Sequence, residues 1–97
     1  MTAHTVLQTP RFKRYVKDFQ RHHYPDFNER LRDAGRVLAI DLHNRKREHN
    51  MRRLENVPKG AGSMRLRLGD WRFFYDIYGK TVVLIACDLR DDRTYRR

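Results

Sequence analysis

Apolar side chains recur at helical spacing through the first half of the chain and at strand spacing through the second. Thr5-Val6-Leu7-Gln8 is a short β-capable stretch, and Thr9-Pro10 after it combines an N-cap residue with a first-turn proline, which predicts the start of a helix. Phe12, Tyr15, Val16 and Phe19 then fall at i, i+3, i+4 and i+7, with basic residues between them, so one stripe of this helix faces a core. Tyr24-Pro25-Asp26 interrupts the pattern. Asp26 is placed to cap a second helix whose stripe is Phe27, Leu31, Ala34, Leu38 and Leu42, widened by Val37 and Ile40. Gly35 inside it costs about 1 kcal/mol relative to alanine, and its presence suggests close helix packing.

Asn44 to Arg53 has no apolar residue but Met51 and reads either as the solvated end of the second helix or as a basic arm. Leu54 to Ser63, with Pro58, Gly60 and Gly62, reads as a loop, and its KGAGS turn as a flexible connection. The period then changes to two. Leu66 and Leu68 alternate with Arg65 and Arg67, which predicts a half-buried strand over 64–69 with an outward arginine face. Over 71–78, Trp71, Phe73, Tyr75 and Ile77 fall on one side and Arg72, Phe74, Asp76 and Tyr78 on the other. Gly79-Lys80 is a tight-turn dipeptide, and the almost wholly apolar run 81–87 suits a central strand over 81–88. The expected architecture is a single α+β domain over 1–97: a short N-terminal strand able to join the sheet edge, a two-helix hairpin, and a three-stranded antiparallel meander. Both helices pack on one sheet face and leave the other open.

Composition sharpens this picture. The 97 residues suit one core, and aromatics supply enough bulk to fill it with one layer of helices on one sheet. The net charge of +10 comes from 22 basic residues, of which five are lysine and seventeen arginine. Arginine's planar fork matches phosphate at two points, so the bias indicates a polyanionic partner. A single cysteine, Cys87, excludes an internal disulfide and a paired-thiol zinc site, and reads as a small core residue. With no apolar run of membrane-spanning length and no signal-peptide pattern, a cytoplasmic protein is expected.

Most standard chemistries find no support. Ser63 is the lone serine and lies in a glycine-rich turn, the KGAGS order is not that of a P-loop, and His22, His23, His43 and His49 lack metal-ligand spacing. No metal or cofactor is expected. The arginines differ: Arg65 and Arg67 share a strand face, Arg72 follows the bend at Gly69-Asp70 alongside them, and Arg90, Arg93 and Tyr95 leave the end of the last strand toward the same patch. Trp71 is placed to stack a base or, by the strand pattern, to sit in the core.

From Leu54 to Arg97 the chain resembles the RelE/ParE superfamily of toxins from bacterial type II toxin–antitoxin modules. The likeness rests on Met64-Arg-Leu-Arg-Leu-Gly-Asp-Trp-Arg-Phe-Phe-Tyr-Asp-Ile, the hairpin, Val82-Val-Leu-Ile-Ala, and Arg90 followed by Tyr95-Arg96. It implies an endoribonuclease, an mRNA interferase that acts at the ribosome by metal-independent attack of a ribose 2′-OH and so inhibits translation. By position, Arg72 and Arg90 would clamp the scissile phosphate, with Arg93 as the alternative to Arg90. Arg65 and Arg67 would hold the RNA backbone, and Tyr95 would orient or protonate. A small acidic antitoxin would cover the basic face. Two positions depart from the family: Arg65 and Arg67 stand where lysine is common, and Cys87-Asp88-Leu89-Arg90 lacks the family histidine. Arginine does not give up its proton, so Asp88, Asp91 or Asp92 becomes the base or else holds Arg90 and Arg93. The alternatives are a ParE-like inhibitor of DNA gyrase that is not a nuclease, and a plain RNA-binding module.

Overall fold

The computed structural model describes residues 4–22, 24, 26–43 and 48–90, in the order β1 (Thr5–Gln8), α1 (Pro10–Arg21), α2 (Phe27–Ile40), β2 (Asn50–Arg53), β3 (Met64–Leu68), β4 (Trp71–Tyr78) and β5 (Thr81–Leu89). Thr9 caps α1 as its sequence requires, its side chain accepting from the Phe12 N–H at 3.1 Å while its hydroxyl donates to the Leu84 carbonyl at 3.0 Å. Asp26 occupies the N-cap position of α2 but makes no side-chain cap bond. Its carboxylate instead accepts from the indole N–H of Trp71 at 3.1 Å, so it ties the helix start to the sheet.

The sheet has five strands, the expected meander and N-terminal edge strand together with one strand that was not expected, in the order β1-β5-β4-β3-β2. β1 runs parallel to β5, and the other neighbours are antiparallel. Residues 50–53, expected as a helix end or a basic arm, are the edge strand β2, with Met51 opposite Leu66 on the core side and Asn50 and Arg52 opposite Arg67 and Arg65 on the other. Pairing decides this strand, because its own residues carry one apolar side chain.

The core lies between the helices and one sheet face. Phe12, Phe27, Ala34 and Leu38 meet Leu66, Trp71, Phe73, Tyr75, Val82, Leu84 and Cys87, all at most 1% exposed. Trp71 is core, its ring centroid 4.9 Å from those of Phe19 and Phe27, and it is not available to stack a base. Burial pushes the Cys87 thiol up to about 12, with the Asp88 charge adding to it. Gly35 is not a close-packing site, since a Cβ there would meet nothing within 4 Å.

A β-bulge sets which β5 residues face which way. Tyr75 pairs with Leu84, but Phe74 pairs with Ala86, leaving Ile85 as the extra residue. Core-facing positions therefore change from Val82 and Leu84 to Cys87 and Leu89, since a one-residue slip exchanges the two faces of a strand. The uniformly apolar run conceals this change of parity. Without the bulge Arg72 would lie opposite Cys87; with it, Arg72 lies opposite Asp88.

The second sheet face is not fully open. The turn at 58–63 folds onto it around Asp76, which alternation marks as outward and polar but which is 0% exposed. Its carboxylate accepts from the backbone N–H groups of Gly60 (2.9 Å), Gly62 (3.0 Å) and Ser63 (2.9 Å) and from the Ser63 hydroxyl (2.6 Å). Burial alone would raise the Asp76 pKa. The donors from Ser63, Gly62 and Gly60 outweigh it and hold the carboxyl below its usual range. The turn expected as a flexible connection is thus a nest of N–H groups closed on an internal anion. Gly62 has φ +86° and lies so near the sheet that a Cβ would stand 3.0 Å from that of Phe74.

Candidate nucleic-acid interface

Four strands bring polar side chains, three of them charged, into one transverse row on the face away from the helices. Asn50 of β2 is opposite Arg67 of β3, Arg67 opposite Arg72 of β4, and Arg72 opposite Asp88 of β5. A second row, one pleat along, runs Arg52, Arg65, Phe74, Ala86. Neighbouring strands lie about 4.8 Å apart, so the guanidinium groups crowd one another. Burial, and after it the charges of Arg52, Arg67, Arg72 and Arg90, lower the Arg65 pKa, because each disfavours a further positive charge at this point. Arg65 donates to the Asn50 side chain at 2.6 Å, while its Nε is buried with no acceptor among the described residues.

The other arginines are oriented by oxygen atoms. Arg67 donates from Nε to the Gly69 carbonyl at 2.9 Å and approaches Asp70 at 3.9 Å. Arg72 makes a two-point pair with Asp88, both bonds 2.7 Å, the fork geometry with which guanidinium also binds phosphate. The backbone N–H of Arg90 donates to the Asp70 carbonyl at 2.6 Å, fixing the chain just past β5 beside the β3–β4 turn.

Of the residues expected at the site, Arg65, Arg67, Arg72 and Arg90 come together; Arg93 and Tyr95, like Asp91 and Asp92, lie outside the described residues. Asp88 holds Arg72, a different partner from Arg90 or Arg93. Asn50 and Arg52 join the site through β2, which the sequence does not reveal. Phe74 was legible as outward-facing, but its place among the arginines depends on register. His49 and His43 lie elsewhere: His49 faces Asp41 at 3.4 Å, and His43 packs edge-on against His4.

An open groove of about 510 Å³ near the end of α2 is lined by Leu42, His43, His49, Met51, Arg52, Arg53, Met64 and Ile77, and it excludes Arg65, Arg67, Arg72 and Arg90. A broad sheet surface with regularly spaced cations suits an extended polyanion better than a small molecule.

No protein-family profile and no curated protein sequence matches the chain. Among solved structures, it superposes on a chain of the toxin–antitoxin complex RelBE2 from Mycobacterium tuberculosis with a TM-score of 0.53 and 25% identity, over 91% of this chain and 99% of that one. The chain has the RelE-type toxin fold. In this RelE-type chain the two helices cover one face of the five-stranded mixed sheet, and the arginine rows occupy the other. Among its described residues no helix is long and apolar enough to cross a membrane.

Proposed function

We propose that this RelE-type chain is the toxin of a type II toxin–antitoxin pair and acts as an mRNA interferase. The observation that carries the reading is the strand register that sets Arg52, Arg67 and Arg72 beside Arg65 on one sheet face, a row of cations that an RNA backbone matches. In the reaction, a ribose 2′ oxygen attacks the adjacent phosphorus. The P–O2′ bond forms and the P–O5′ bond breaks, the 2′ proton leaves, and a proton is delivered to the 5′ oxygen. The products are a 2′,3′-cyclic phosphate upstream and a 5′-hydroxyl downstream. Arg72 and Arg90 clamp the scissile phosphate and offset the charge of the phosphorane, with Arg93 as the alternative to Arg90, while Arg65 and Arg67 hold flanking phosphates. Tyr95 orients the reacting groups or protonates the leaving oxygen.

The Arg72–Asp88 pair suggests how the 2′ proton is removed. A phosphate that takes over the two donors of Arg72 displaces a carboxylate already 2.7 Å from them, and Asp88 is then beside the attacking oxygen as a base. Arginine cannot fill that role. The partner in this reading is a small acidic antitoxin whose extended segment covers the arginine face; the likeness to a chain of a toxin–antitoxin complex supports it.

The test is to incubate purified protein with ribosomes programmed with mRNA and to map new 5′ ends. The expected result is new 5′-hydroxyl ends within the ribosome-bound message. An absence of cuts together with inhibition of DNA gyrase in a supercoiling assay overturns the reading in favour of a ParE-like toxin. Unimpaired growth on induced expression reduces it to an RNA-binding module.

A further inference from the structure

Phe74 is a partly exposed aromatic on the arginine face, outside the hydrophobic core. Across β3 it is opposite Arg65, across β5 it is opposite Ala86, and the Arg72 guanidinium carbon lies 5.9 Å from its ring centroid. Arg65 and Arg72 thus flank Phe74, and Ala86 with the bulge residue Ile85 borders it on the β5 side. The turn held by Asp76 touches it at Cβ through Gly62, where the absence of a side chain keeps the approach small. The part of the ring left open to solvent is available to a ligand. Its use is chemical: aromatic rings on sheet surfaces, flanked by arginines that hold phosphates, stack nucleobases in single strands.

We propose that Phe74 stacks one nucleobase of a single-stranded RNA whose adjoining phosphates are held by Arg65 and Arg72. The inference rests on the RNA-directed reading above and deepens it, because it makes the ligand a strand with unstacked bases rather than a duplex or a base-free polyanion. The Asp76 nest is part of the same arrangement. By tying Gly60, Gly62 and Ser63 to β4 it holds the turn at the edge of the ring.

The test uses the full chain and two fluorescein-labelled 2′-O-methyl decamers, which resist cleavage, one bearing bases and one abasic, with binding followed by anisotropy at low salt. Wild type is expected to bind the base-bearing strand roughly tenfold more tightly, the scale of one stacked base. Phe74→Leu should erase that difference, Phe74→Trp should keep it, and Arg65→Ala should weaken both strands alike. In parallel, 2-aminopurine in the base-bearing strand should be quenched on binding to wild type, a readout that needs no variant to fold. Equal binding of the two strands by wild type, or a difference that survives Phe74→Leu, overturns the stacking proposal while leaving the phosphate contacts standing. Failure of both strands to bind overturns the stacking and the RNA reading together.

Discussion

Replacing Asp76 by alanine removes the anion on which the turn at 58–63 is built. Four donors lose their acceptor: three backbone N–H groups at 2.9–3.0 Å and the Ser63 hydroxyl at 2.6 Å. Gly62 and Ser63 are buried, so their groups are desolvated without recompense, whereas Gly60 is exposed and regains water. A net hydrogen bond to a charged group is worth about 1.5–3 kcal/mol, and such bonds on one acceptor do not add fully, so a loss of about 3–5 kcal/mol is expected. A domain of this size has a total stability of about 5–15 kcal/mol, which makes the change measurable by urea unfolding followed by circular dichroism. Asp76→Asn should cost a similar amount, because its amide nitrogen presents donors to donors. The acid limb supplies a second check. The folded carboxyl lies below the unfolded value of about 3.9, so its stabilising contribution is complete above that value and is lost as pH falls through the folded pKa. Wild type should therefore lose stability below about pH 4 more steeply than Asp76→Ala. A loss under 1 kcal/mol with an unchanged acid limb would refute the reasoning.

Gly35→Ala should stabilise the protein by about 1 kcal/mol, since the added methyl meets nothing within 4 Å and the helix gains propensity; a lower thermal midpoint would contradict it. Tyr75→Phe should leave stability unchanged or raise it by up to about 1 kcal/mol, because the phenolic oxygen is buried without a hydrogen-bond partner among the described residues. Burial also pushes Tyr75 up to about 12, so the folded state keeps a proton that the unfolded chain releases near pH 10. Wild type should lose stability above that pH, and the phenylalanine variant should lose less in an alkaline denaturation series. Asp88→Asn should preserve RNA binding within a few-fold but reduce cleavage at least a hundredfold; full cleavage by this variant would remove Asp88 as the base.

The arginine face was legible because Arg65 and Arg67 alternate with Leu66 and Leu68, and a two-residue turn at Gly69-Asp70 returns Arg72 alongside. What periodicity could not supply was everything that depends on pairing. Asn50–Arg53 carries no strand signal of its own and becomes β2 only because β3 offers a free edge. The Arg72–Asp88 pair depends on one extra residue, Ile85, inside a run whose uniform hydrophobicity hides a change of face. The burial of Asp76 was not legible for a related reason: alternation assigns a side but not what covers it. The signal that could have corrected this was the company of Gly60, Gly62 and Ser63, small residues able to turn successive N–H groups toward one anion.

The most direct test of the account is the salt dependence of RNA binding by the arginine face. With four or five phosphates neutralised, the logarithm of affinity for a single strand should fall with the logarithm of salt with a slope of about −3, and each of Arg65→Ala, Arg67→Ala and Arg72→Ala should make it shallower by about 0.7. A slope that these substitutions leave unchanged, with affinity lost instead on removing Arg11 or Arg14 from α1, would place the RNA on the helices and contradict the account.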